Sequence, residues 1–156
     1  MSSQSHFAAP LLLAVVTALI VYVSLYPFRF APDGPSMVEA LGHLTWARAG
    51  RSEMLRNVLL YLPFGFCLAL LIEPRFGRLA ALLAATIAGA LLSLGMESLQ
   101  ASVEMRVSSL KDLSLNGFGS FAGAVMGSAW HALGARMTPQ STPNARSRAV
   151  GLTIIA

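Results

Sequence analysis

Residues 8–26 contain no charged side chain and stop at Pro27. At about 1.5 Å per residue, a helix of that length covers most of a ~30 Å hydrocarbon core. Three more apolar blocks follow, at 57–72, 79–96 and 113–133. Blocks of spanning length, rather than amphipathic stripes, therefore organise the chain. This predicts an all-α membrane protein, a bundle of four transmembrane helices, because only a helix satisfies its own backbone in lipid. Composition agrees: charged residues make up 12% of the chain, about half the share in a soluble domain.

The first block reads as a retained anchor, since 1–7 carries no Lys or Arg and no small-x-small cleavage pattern follows. The second, "NVLLYLPFGFCLALLI", holds Pro63 and Gly65, which predict a kink. Only "EPRFGR" separates it from the third block. In the fourth, Gly119, Gly123 and Gly127 recur every four residues, a spacing that lets helix backbones approach closely. Between the first two blocks, Ser36 and Glu39 have capping-box spacing ahead of Met37, Leu41 and Leu44. That stretch predicts a short interfacial helix. Residues 1–133 form the expected transmembrane domain, and the Pro-, Ser- and Arg-rich 134–156 is expected to be a disordered tail.

The net charge of +4 and pI near 10.0 do not point to nucleic acid, because the bases are scattered through connections and the tail. They read as topology signals. Cys67 is the lone cysteine, inside an apolar run, and reads as a packing residue. His6, His43 and His131 are far apart, so no metal-ligand spacing exists, and no cofactor is expected. Four spans place both termini on one side and the 27–56 and 97–112 connections on the other. The count of Arg and Lys on the two sides is nearly tied; the reading adopted has cytoplasmic termini.

That topology gathers Asn57, Glu97, Gln100, Arg106, Asp112 and Asn116 at one membrane face. Ser93, Glu97 and Gln100 share a helix face if the third helix continues past Met96, and Asp112, Asn116, Gly119 and Gly123 share another. A lone carboxylate near the bilayer centre costs roughly 2.5 to 3.5 kcal/mol, so these groups are expected to be interfacial, inward-facing or paired. Two readings stand side by side. In one, Arg106, Glu97 and Asp112 clamp the hairpin between the last two helices. In the other, the cluster receives a polar head group, Arg106 taking phosphate while Asn57, Gln100 and Asn116 read hydroxyls or amides. An acid–base pair of Glu97 and Asp112 is the least favoured version, since no activated nucleophile accompanies it.

Two stretches carry a family resemblance. "NVLLYLPFGF" supplies Asn57, Pro63, Phe64 and Gly65; "ESLQASVEMRVSSLKDLSLNGFGSFAG" supplies Glu97, Gln100, Arg106, Asp112, Asn116, Gly119 and Gly123. Over roughly 27–127 the sequence resembles the VanZ-like bacterial membrane proteins. The resemblance implies a small multi-span protein of the bacterial inner membrane; the founding member lowers sensitivity to teicoplanin. It carries over no catalytic residue. Three functions fit: an accessory protein binding an envelope lipid or lipid-linked wall precursor, an embedded enzyme acting on such head groups, and a structural subunit docking a membrane partner through its glycine face.

Overall fold

The computed structural model describes residues 4–31, 35, 39, 42, 46, 50–103 and 109–137. They form four helices: α1 Gln4–Leu25, α2 Arg51–Phe76, α3 Arg78–Gln100 and α4 Leu110–Met137. No strand occurs among the described residues; Phe30 and Val103 form an isolated antiparallel bridge. The interfacial helix expected after Ser36 falls largely outside these residues, as do Arg106 and 138–156.

The helices outrun the apolar blocks that announced them. α2 begins six residues before Asn57, at Arg51, and passes without interruption through Pro63 and Pro74. Hydropathy marks which turns suit lipid; helix formation continues into polar turns as long as backbone hydrogen bonds do. The expected "EPRFGR" connection is accordingly mostly helical. Gly77 alone separates α2 from α3, at φ 82°, with its N–H donating to the Glu73 carbonyl. That left-handed conformation is one a glycine adopts at no steric cost.

α1, α2 and α3 are each long and apolar enough to cross a membrane. α4, at 28 residues the longest, falls short of that apolar standard for a physical reason. Its inner positions are Gly, Ser and Asn, small groups that let other helices come close. A Cβ added at Gly119 would stand 2.5 Å from the Val58 carbonyl oxygen, and one at Gly127 would stand 2.8 Å from that of Phe66. Between them, a Cβ at Gly123 would collide with the Leu62 carbonyl, and one at Gly65 with the Ser120 backbone. Gly119, Gly123 and Gly127 thus meet Val58, Leu62 and Phe66 in the same order, so α2 and α4 run parallel. Their seam is built backbone against backbone, and α2 covers the glycine face that a partner helix would need.

α3 packs on the other side of α4. Gly89 abuts the Ser120 side chain, and Ser93 bonds Asn116; α3 therefore runs antiparallel to α4. Ala81, Ala85, Ala69 and Ala124 form one small-residue core cluster. α1 lies outermost, touching α2 and α3 through Val16 and Ile20, which join Tyr61, Phe64 and Met96 in a second cluster. Outward surfaces are apolar: Leu12, Leu19, Leu59, Leu83, Ile87, Leu91, Phe118 and Met126 are all exposed. The interior instead holds Ser93, Glu97, Asn116, Ser120 and Ser128. Such an inside-out distribution would be an aggregation surface in water and suits lipid.

Candidate functional site

The up-down-up-down order brings the end of α1, the start of α2, the end of α3 and the start of α4 to one end of the bundle. The chain leaving α1 crosses to the end of α3, where the Ala31 N–H donates to the Ser102 carbonyl at 2.9 Å. Beneath this crossing lies a cavity of about 30 Å³, walled by Ser24, Arg56, Asn57, Tyr61, Glu97, Gln100, Asp112 and Asn116 with the apolar Val23, Leu60 and Met96. A volume of that size admits one or two water molecules.

Five of the six residues expected to converge line this cavity: Asn57, Glu97, Gln100, Asp112 and Asn116. Arg106 lies outside the described residues. Among the described residues, the hairpin between the last two helices is held through backbone. Glu97, 3% exposed, accepts the Ser109 N–H at 2.8 Å. Ser109 in turn caps α4, its hydroxyl accepting the Lys111 N–H at 3.2 Å. A carboxylate on the last turn of α3 thus holds the first turn of α4. The Asn116 amide donates to Ser93 Oγ at 2.8 Å, and the Gln100 amide to the Ser24 carbonyl at 2.7 Å, tying α1 to the end of α3.

Other polar atoms around the cavity are not paired. Asn57 Nδ2, Asp112 Oδ1, Asn116 Oδ1 and the Tyr61 hydroxyl are buried, and none has a hydrogen-bond partner among the described residues. The Tyr61 hydroxyl faces Ser93, close to but outside full hydrogen-bond geometry, and lies near Glu97. An unsatisfied buried polar atom costs about 1–3 kcal/mol. Four around one small cavity therefore mark a place where something polar is wanted.

Asp112 occupies the first turn of α4, ahead of the apolar stretch that starts at Leu113. Burial pushes its carboxyl above the usual carboxylate range, and the neighbouring Glu53 adds to this; Arg56, the Asn57 side chain facing the carboxyl, and Lys111 pull the other way. Glu97 and Asp112 are thereby differentiated: one has its acceptor capacity drawn on by the Ser109 amide, the other is held with an oxygen free.

Sequence reasoning passed over Arg56, Tyr61 and Ser109. Each carried a signal: Arg56 adjoins Asn57, and Tyr61 follows Asn57 by one helical turn. Ser109 carried a signal as the N-cap of α4, but its bond to Glu97 is made by a backbone N–H that any residue but proline would supply.

The VanZ/LLP1 family model matches residues 4–131. The chain belongs to this family. The match extends over all of α1 to α3 and most of α4, so the polar cavity and the glycine seam lie wholly within the VanZ region. No protein of curated function and no solved structure matches the chain.

Proposed function

We propose that this VanZ protein is a four-span accessory protein of the bacterial inner membrane that holds the polar head group of an envelope lipid, or of a lipid-linked wall precursor, at the mouth of the cavity. The single observation that carries this reading is the set of unpartnered atoms: one donor on Asn57, acceptors on Asp112 and Asn116, and the Tyr61 hydroxyl, which can act as either. A sugar or glycerol hydroxyl both donates and accepts and so complements such a set. Arg56 on the rim, with Arg106 in the hairpin, supplies the cationic partner for phosphate.

Parallel register with α2 supports a fourth crossing. At about 42 Å, α4 travels beside a helix of spanning length and shares its slab. With four crossings both termini lie on the side away from the cavity; our reading places them in the cytoplasm. The binding reading is favoured over an enzymatic one because Glu97, one of the two carboxylates among the described residues of the cavity wall, is engaged by the Ser109 amide and serves the fold.

The experiment is a melting series on detergent-purified protein with phosphatidylglycerol, whose head carries both phosphate and hydroxyls, against phosphatidylcholine, which lacks the hydroxyls. Phosphatidylglycerol should raise the melting temperature, with Arg106→Ala and Asp112→Asn losing the effect. Absence of any lipid-dependent shift across anionic and sugar-bearing heads would remove the proposal. Lipid recovered chemically altered would replace it with the enzymatic one. In a host whose envelope admits glycopeptides, deleting the gene tests the family's link to teicoplanin through the inhibitory concentration.

A further inference from the structure

We infer that the group entering the polar cavity is a primary ammonium, so that the lipid held there is an aminophospholipid whose phosphate rests on Arg56 at the rim. This deepens the head-group reading above and rests on it. Size sets the first limit. At about 30 Å³, the cavity takes nothing larger than one or two water molecules. A sugar ring or a trimethylammonium group cannot enter, whereas a primary ammonium fills roughly the space of a water molecule.

Hydrogen-bond direction sets the second limit. The side-chain amides around the cavity are turned toward the protein: Asn116 donates to Ser93 Oγ, Gln100 donates to the Ser24 carbonyl, and Asn57 lies against the Asp112 carboxyl. The Tyr61 hydroxyl faces Ser93. What is left over accepts. Asn116 Oδ1, Asp112 Oδ1 and the Tyr61 oxygen are all buried without a full hydrogen bond. Asn116 is 7% exposed and Tyr61 is 1% exposed, so bulk water does not serve them. A primary ammonium carries three donors and no acceptor, which complements a wall of unpaired oxygens. A hydroxyl has a single donor and brings acceptors of its own.

Charge sets the third. Asp112 and Glu97 line the cavity together with Arg56. Burial penalises the Asp112 charge, and a cation placed against it offsets that penalty. A free inorganic cation would also meet the Arg56 guanidinium, with no anion of its own to relieve the repulsion. A zwitterion with a short linker brings that anion. Its ammonium goes to the oxygens, and its phosphate pairs with the guanidinium, whose planar fork suits phosphate.

The test uses the full-length protein in detergent and lipids with identical acyl chains: phosphatidylethanolamine, its mono- and dimethyl derivatives, phosphatidylcholine and phosphatidylglycerol. The first four share the phosphate and the positive charge and differ in N–H donors and bulk. The readout is the mole fraction of lipid that gives half the maximal rise in melting temperature. For phosphatidylethanolamine it should be at least about tenfold lower than for phosphatidylcholine, with the partly methylated lipids between them and phosphatidylglycerol weaker than phosphatidylethanolamine. Tyr61→Phe removes one acceptor and keeps the ring, so it should shrink that ratio several-fold while leaving the melting temperature without lipid near that of the parent. Competition by soluble glycerophosphoethanolamine, with none by glycerophosphocholine, supports the inference with no acyl chain involved.

Equal action of phosphatidylethanolamine and phosphatidylcholine overturns the inference, because the site then reads phosphate alone. A ratio unchanged by Tyr61→Phe also overturns it. If sodium chloride raises the melting temperature and choline chloride at the same ionic strength does not, an inorganic cation fills the cavity and the inference falls. The two readings fail separately: phosphatidylglycerol acting as strongly as phosphatidylethanolamine, and both more strongly than phosphatidylcholine, removes the ammonium alone, whereas no response to any lipid removes the head-group site.

Discussion

Glu97 and Asp112 both line one small cavity, and the fold treats them differently. Glu97 is deeply buried and receives the amide of Ser109, which joins the end of α3 to the start of α4. Asp112 lies in the first turn of α4, where the helix dipole favours a negative charge, yet one of its oxygens is buried without a partner. Burial and Glu53 both raise its proton affinity. The contrast extends to neighbours. The amide of Gln100, one turn from Glu97, donates to the Ser24 carbonyl across helices; the amide of Asn57 lies against the Asp112 carboxyl without reaching full hydrogen-bond geometry. Glu97 holds the bundle, and the atoms around Asp112 are the ones on which the proposed head-group site rests. Membrane proteins retain costly polar groups for either purpose.

The largest expected effect strikes the seam on which both residues rest. Gly123→Leu drives a side chain into the Leu62 carbonyl, a backbone obstacle that cannot rotate away. Overpacking of this kind costs about 1–3 kcal/mol or more, and membrane abundance should fall to background. Normal accumulation would show that α4 does not sit against α2 as described. Next comes Glu97→Ala, which strands the Ser109 N–H and should cost about 1–3 kcal/mol, read as an earlier melt in detergent. Asn116→Ala removes one amide-to-hydroxyl bond and should cost about 1 kcal/mol. Smallest is Asp112→Asn, expected within about 0.5 kcal/mol of the parent, because it discharges a group that burial already penalises.

The pH dependence of Asp112 sharpens the same contrast. A carboxyl whose native pKa is raised binds its proton more tightly when folded. Its contribution is therefore greatest at low pH and is lost as pH rises from the ordinary aspartate range, near about 4, through the raised native value. The parent should lose stability over that window, and Asp112→Asn should flatten the melting curve against pH. An unchanged slope would mean that other groups govern it.

Hydropathy made the helices legible, and their alternating directions followed from reading each block as a membrane crossing. The convergence of Asn57, Glu97, Gln100, Asp112 and Asn116 was legible for the same reason, since antiparallel packing forces their helix ends together. What could not be read was the division of labour. Whether a carboxylate is engaged depends on a backbone amide twelve residues away in the case of Glu97 and Ser109, and no residue type encodes that. Nor does sequence separate the roles of the glycines. Gly119 and Gly123 have the spacing of an intermolecular helix contact, and their partner turned out to be α2 of the same chain. α4 shows the converse limit: its close packing replaces large apolar residues with Gly, Ser and Asn, so the helix most deeply engaged in the bundle carries the weakest hydropathy signal.

The most direct test of the division between the two carboxylates is a paired melting measurement of Glu97→Gln and Asp112→Asn, each with and without phosphatidylglycerol. The account predicts that Glu97→Gln melts earlier but still responds to lipid, while Asp112→Asn melts with the parent and has lost the response. Equal destabilisation by both substitutions would contradict it, and would make the whole polar end a structural clamp.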